Sequence, residues 1–219
     1  MRKIIVTTFM TMDGVLQSPG GPDEDRTGGF EWGGWQFTYA DAISGQAIAK
    51  IMSEPFDLLL GRRTYEIFAA HWPYLDDEIA RKFNRTNKYV VSTTLETLSW
   101  KNSTLIGSKV VDALKALKEE DGPDLLVHGS SRLVQTLFAN QLVDVLHIWT
   151  NPLTLGKGKR LFAEGTPVQE WTLADAKIST TGVIMATYLP GGDVHPGSYV
   201  PLEPSQAELE RREKWKTGG

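Results

Sequence analysis

Residues 58–66 read Leu58-Leu59-Leu60-Gly61-Arg62-Arg63-Thr64-Tyr65-Glu66. An apolar run of this length closed by glycine has the pattern of a buried strand, spanning about Asp57 to Leu60. A short helix is expected to follow from about Arg63 to Ala69. The start of a helix leaves backbone N–H groups unpaired and carries the positive end of the helix dipole, so it suits an anion such as phosphate. Gly61 lets a ligand approach the backbone closely, and Arg62 and Arg63 add fixed charges able to grip a ribose phosphate through bidentate hydrogen bonds. Thr64 lies in the same first turn.

Two further strand ends carry small or hydroxyl residues before a turn or helix. Ser92-Thr93-Thr94 follows a strand at Lys88 to Ser92, and Gly129-Ser130-Ser131 follows one at Asp124 to His128. In an open α/β sheet, ligands bind beyond the carboxyl ends of the strands, so three such ends in succession mark a candidate nucleotide edge. Taken singly, each is also ordinary turn chemistry, and paired arginines are also a solvated face. None is the G-x-G-x-x-G fingerprint, so a standard Rossmann site is not indicated.

The same rhythm extends outward. Ile4 to Phe9 is a β-branched strand that runs into Met12-Asp13-Gly14, a turn. From Asp41 to Ser53, Ile43, Ala47 and Ile51 mark one helix face. Thr104 to Ile106 forms a short strand, and Ser108 is placed to cap a helix carrying Val110, Leu114 and Leu117. Leu133, Val134, Leu137 and Phe138 pattern another helix, and Val143 to Thr150 a further strand. Trp171 to Ser179 and Val183 to Leu189 alternate around Thr180-Thr181-Gly182, a hairpin signal. The expected architecture is therefore α/β, in three α/β/α layers, with a mostly parallel sheet ending in an antiparallel edge hairpin. Residues 1–190 form one domain in this reading. Residues 191–219 form a tail whose charged segment, Ser205 to Lys216, has only Leu209 and Trp215 to bury.

Composition narrows the function. Among 219 residues, 41% are hydrophobic and 23% charged, which is ordinary for one globular domain. The net charge of −4 offers no general field for nucleic acid or an anionic membrane. There is no cysteine, which excludes disulfides, zinc–thiolate sites and thiol nucleophiles and is compatible with a cytoplasmic address. No metal site is expected, and no run approaches the roughly 18 apolar residues of a membrane span.

Residues 58–66 resemble the strand-to-helix segment of the dihydrofolate reductase superfamily that binds the cofactor phosphates. Tyr89-Val90-Val91-Ser92-Thr93 resembles the strand whose end holds the adenosine side. Leu126-Val127-His128-Gly129-Ser130-Ser131 resembles the Gly-Gly segment that cradles pyrophosphate and nicotinamide, with serines where a second glycine is common. Thr11-Met12-Asp13-Gly14 and the run from Pro152 to Phe162, with Lys157, Lys159 and Arg160, resemble one branch. That branch is the reductase domain of the riboflavin-pathway deaminase–reductase and its stand-alone relatives. The resemblance covers about residues 2–190. It implies a dihydrofolate reductase-like fold, NADPH as cofactor, a pterin-like or pyrimidine-like small substrate, and a homodimer.

Within that frame Asp13 is the first candidate to orient or protonate substrate, and it is equally a turn aspartate. Asp41 is the second and weaker candidate, and it reads first as a helix N-cap. Phe30, Trp32, Trp35 and Phe37, in the Gly/Pro-rich stretch 17–36, either lid a flat heterocycle or pack their own loop. Trp149 and Trp171 read as outward-facing and available to a dimer contact. His128 and His147 read as core or edge residues. The alternatives to a reductase are a nucleotide- or pterin-binding module without efficient catalysis, and an interaction protein using the aromatic loop and the charged tail.

Overall fold

The computed structural model describes residues 1–128, 130–199 and 203–216. The three leucines lie in β2 (Phe56–Gly61), every residue of which is buried. The other strands are β1 (Ile4–Thr11), β3 (Lys88–Val91), β4 (Ser103–Ile106), β5 (Asp124–His128), β6 (Val145–Asn151), β7 (Trp171–Ile178) and β8 (Ile184–Pro190). They form one sheet in the order β4-β3-β2-β5-β1-β6-β8-β7. The first six run parallel, and β8 and β7 close the sheet antiparallel.

Alternation along the strands divides two cores. Ile4, Val6, Leu59, Leu125, Val127, Leu146 and Ile148 face α4 (Val110–Glu119) and α5 (Ser131–Ala139). Leu58, Leu60, Leu126 and Trp149 face the other way, toward α1 (Ala42–Ser53), α2 (Arg62–Ala69) and α3 (Glu78–Arg85). A sixth helix, α6 (Gln206–Lys216), contributes no buried residue.

Several local readings change. The helix α3 has no counterpart in the sequence reading. Ser108 does not cap α4; the N-cap position is Lys109, in the left-handed region at φ 44° with no side-chain hydrogen bond. Trp149 is 3% exposed, packed edge-on against Phe9 at 5.3 Å beneath α1. Trp171 packs against Phe138 at 5.9 Å, so neither tryptophan faces outward. The exposed apolar side chains at that end of the sheet are Leu173, Ile178, Ile184 and Leu189.

At the amino edge of the sheet, Arg2 and Asp57 form an ion pair at 2.5 Å with side chains 2% and 5% exposed. Arg2 Nε also donates to the Pro123 carbonyl at 2.6 Å, and the guanidinium lies 5.3 Å from the Tyr89 ring. Removing one member of such a pair strands a desolvated charge. Asp57→Ala is therefore expected to cost about 3–5 kcal/mol of stability, measured by denaturant titration. Removal of residues 193–219 is expected to leave the melting temperature unchanged, since α6 buries no side chain.

Candidate functional site

The carboxyl ends of β2 and β5 meet at the start of two helices. Gly61 occupies the N-cap of α2 and Ser130 that of α5, and neither helix has a side-chain cap. By contrast, Asp41 caps α1 and Asp77 caps α3 with carboxylate oxygens. The N–H groups of α2 and α5 are thus left to something other than their own caps. The two ends touch: a Cβ on Gly61 would collide with the Ser130 hydroxyl and lie 3.2 Å from Ser130 Cβ. Ser130 itself has φ 26°, a backbone conformation disfavoured for any side chain but hydrogen. Ser131 opens α5, and Gly129 lies outside the described residues.

The twin arginines do not form one clamp. Arg62 pairs with Glu66 one turn on, at 3.0 Å, with both side chains more than 40% exposed. A surface pair of this kind holds its partner weakly and leaves Arg62 available. Arg63 reaches away from it, donating to Thr27 Oγ1 at 2.5 Å and lying 3.5 Å from Asp25. Thr64 sits in the first turn of α2, half-buried. Ser92 builds its own turn, its hydroxyl accepting from the amides of Thr94 at 3.2 Å and Leu95 at 3.0 Å, while Thr93 is exposed at the edge.

Residues 17–36 form an ordered roof over this edge. Buried Gln17 donates to the carbonyls of Asp25 (2.9 Å) and Thr27 (3.0 Å) and accepts from the Lys159 amide at 3.0 Å. The Lys159 ammonium binds the Asp25 carboxylate and Thr27 Oγ1, the latter at 2.9 Å. Lys157 reaches the Gly29 carbonyl at 3.3 Å. Phe30 and Trp35 are buried with Val15, and Trp35 Nε1 donates to the Gln17 carbonyl at 2.8 Å. Gly158 is required beneath them, because a Cβ there would stand 2.5 Å from Val15 and 3.1 Å from Phe30. Trp32 and Phe37 are the aromatics left exposed, at 59% and 78%. The roof thus runs from Arg63, beside the end of β2, to Lys159, beyond β6. Burial alone would raise the Asp25 pKa, but the Lys159 and Thr27 contacts outweigh it and hold the carboxyl below its usual range.

Both candidate acids are occupied. Asp13 accepts from Thr11 Oγ1 at 2.6 Å and from the amides of Leu155 (3.2 Å) and Gly156 (2.8 Å), with Arg160 at 3.5 Å. Burial pushes its pKa up, but these hydrogen bonds, the Thr11 hydroxyl foremost, bring it down overall. Asp41 accepts from the Ser44 amide at 2.7 Å with one oxygen, and from the Thr180 amide and hydroxyl, both at 2.7 Å, with the other. Those bonds, led by the Thr180 hydroxyl, hold it far below the carboxylate range. Asp41 is accordingly a helix cap that also clasps the β7–β8 turn, and neither aspartate holds a proton near neutral pH. Gln17, Asp25 and Thr27 were not found by sequence reasoning. Their only signal was the unusual length of the Gly/Pro-rich stretch that carries them.

The model of the RibD C-terminal domain family matches residues 2–185. The chain belongs to that family. Over 192 residues it is 22% identical to the uncharacterized protein YyaP of Bacillus subtilis (strain 168), covering 85% of this chain and 94% of that protein. Among solved structures, it is similar to a putative riboflavin biosynthesis protein from Shewanella sp. PV-4. There the TM-score is 0.63 at 18% identity, over 88% of this chain and all of that one (100%). A pyrimidine reductase-like protein from Corynebacterium diphtheriae matches with TM-score 0.56 at 11% identity, covering 88% of this chain and 93% of that one. Dihydrofolate reductase from Enterococcus faecalis, complexed with NADP(H) and RAB-propyl, matches with TM-score 0.55 at 13% identity, over 87% and 97%. The fold is dihydrofolate reductase-like, as the resemblance implied. No group of metal-ligating side chains occurs among the described residues, and no helix there is long and apolar enough to cross a membrane.

The depressed Asp13 carboxyl gives a signed pH dependence. Its contribution to stability is full above the unfolded-state value and is lost as pH falls through the lower folded value. Asp13→Asn should therefore lower the melting temperature at pH 7, with the gap to wild type closing as the pH drops below 4. A gap independent of pH would show that the charge contributes nothing.

Proposed function

We propose that the chain is a cytoplasmic NADPH-dependent reductase of a pterin-like or pyrimidine-like small molecule. The observation that carries this reading is the pair of uncapped helix starts, α2 and α5, converging at Gly61 and Ser130 in a member of this family. The residues fit a dinucleotide. Gly61 removes the side chain where the strand ends meet, the first turns of α2 and α5 present unpaired N–H groups to a pyrophosphate, and Arg62 stands beside them for a ribose phosphate. When bound, the nicotinamide supplies the hydride. The protein's part is to bind and to orient. With Asp13 and Asp41 both ionised, the proton that accompanies the hydride comes from water.

The same commitment of both aspartates favours a second reading, a nucleotide-binding module without efficient turnover. NADPH consumption with dihydropterin or aminouracil compounds separates the two: stoichiometric NADPH binding without oxidation selects the module. For the cofactor itself, fluorescence titration should give tighter binding of NADPH than of NADH. Arg62→Ala should weaken NADPH by about tenfold to a hundredfold, the worth of a charge-assisted bond, and leave NADH unchanged. Equal affinity of the wild type for both would overturn the assignment.

We further propose a homodimer built on the β7 edge. A strand exposed on its edge and carrying Leu173 (55% exposed) and Ile178 (68%) is a pairing surface, and a two-fold contact is the commonest way to cover one. Ile178→Lys is expected to convert a dimer to a monomer in analytical ultracentrifugation without loss of fold.

A further inference from the structure

On the sheet face covered by α1, α2 and α3, one row of residues is polar. Thr7 pairs in parallel register with His128 of β5 on one side and with His147 of β6 on the other, and His147 pairs with Thr187 of β8. Residues in register share a face, so these four lie in line across four adjacent strands. The neighbouring rows on that face are apolar: Ile5 with Leu126 and Val145, and Phe9 with Trp149 and Met185.

His147 and Thr187 satisfy each other, Nδ1 to Oγ1 at 2.9 Å. Thr7 Oγ1 and His128 Nε2 are buried and have no hydrogen-bond partner among the described residues. Trp72 Nε1 is a third such atom over the same face, its ring packed on Phe83 (4.9 Å) and Phe68 (5.9 Å). Those two rings also flank His128, at 5.7 and 6.1 Å. Folded proteins rarely leave buried polar atoms unpaired, and each such atom calls for a partner, whether a water, an ion or a ligand. The location agrees: His128 is the last residue of β5, immediately before the segment that leads to Ser130 and α5.

Burial pushes the His128 pKa down to about 4, so its imidazole is neutral, with one nitrogen donating and the other accepting. Thr7 and His128 stand in register on adjacent strands, so this face offers a hydroxyl and a neutral imidazole, a donor and an acceptor, with the Phe68 and Phe83 rings flanking the imidazole. This matches the edge of a flat nitrogen heterocycle in which an N–H adjoins a carbonyl or a ring nitrogen. We propose that Thr7 Oγ1 and His128 Nε2 form a hydrogen-bonding floor on this face of the sheet and take the donor–acceptor edge of such a heterocycle. This rests on the reductase reading and names the part of the fold that recognises its substrate class.

The test compares wild type with Thr7→Val, Thr7→Ser and His128→Leu, titrating each with NADPH and, separately, with pterin and 5,6-diaminouracil by calorimetry. Wild type is expected to bind at least one of the heterocycles. Thr7→Val and His128→Leu should each weaken it by about tenfold, the loss of one hydrogen bond, while Thr7→Ser keeps it. The melting temperature of Thr7→Val should equal or exceed that of wild type, because a hydroxyl without a protein partner costs stability when buried. The proposal is overturned if neither heterocycle binds, if Thr7→Val binds as wild type does, or if Thr7→Val melts several degrees lower. NADPH titration reports separately: wild type that fails to bind it refutes the reductase reading, whatever the heterocycles do.

Discussion

Everything at the carboxyl edge depends on one contact, that of Gly61 with Ser130. The ends of β2 and β5 approach so closely that a single methyl group on Gly61 would fall on the serine hydroxyl. That proximity sets the starts of α2 and α5 side by side and makes two weak helix dipoles act on one place. Ser130 holds its side of the contact in a backbone conformation that glycine would adopt without strain. The edge is thus assembled from the bare backbone of Gly61 meeting the side chain of a strained Ser130.

Electrostatics completes the edge. Carboxylates that a sequence reader assigns to chemistry turn out to be fasteners. Asp13 ties the turn after β1 to the loop after β6, Asp41 ties α1 to the β7–β8 turn, and Asp25 ties the roof to both flanks. The cations follow the same rule, with Arg63 and Lys159 spent on the roof and Arg62 on a solvated pair alone. Among the buried polar atoms of the described residues that lack a protein partner, Thr7 Oγ1 and His128 Nε2 lie on the sheet face beneath.

Much of the fold was legible because its signals are local. Leu58 to Gly61 is a buried strand by composition alone, and Thr180-Thr181-Gly182 forms a turn in which Gly182 takes φ 83°. Helix α3 escaped because only Ala80 and Phe83 of its eight residues are buried, too few to print a period. Trp149 and Trp171 were misread because alternation tells which residues share a face but not which face a later helix covers. The site was less legible for a related reason. That Asp13 ends in a turn is written in Asp13-Gly14, but that its oxygens take amides some 140 residues away is a property of the assembled sheet. The unpaired state of Thr7 and His128 is likewise invisible until the strands are in register.

The roof has a kinetic consequence. Asp25 bridges Arg63 and Lys159, so residues 17–36 are released only when both links break in the same event. Both links share the largely buried Asp25 carboxylate, so they restrain each other, as the two arms of a chelate do. Salt therefore loosens the two arms unequally, acting most on the Arg63 link, whose cation is the more exposed of the two.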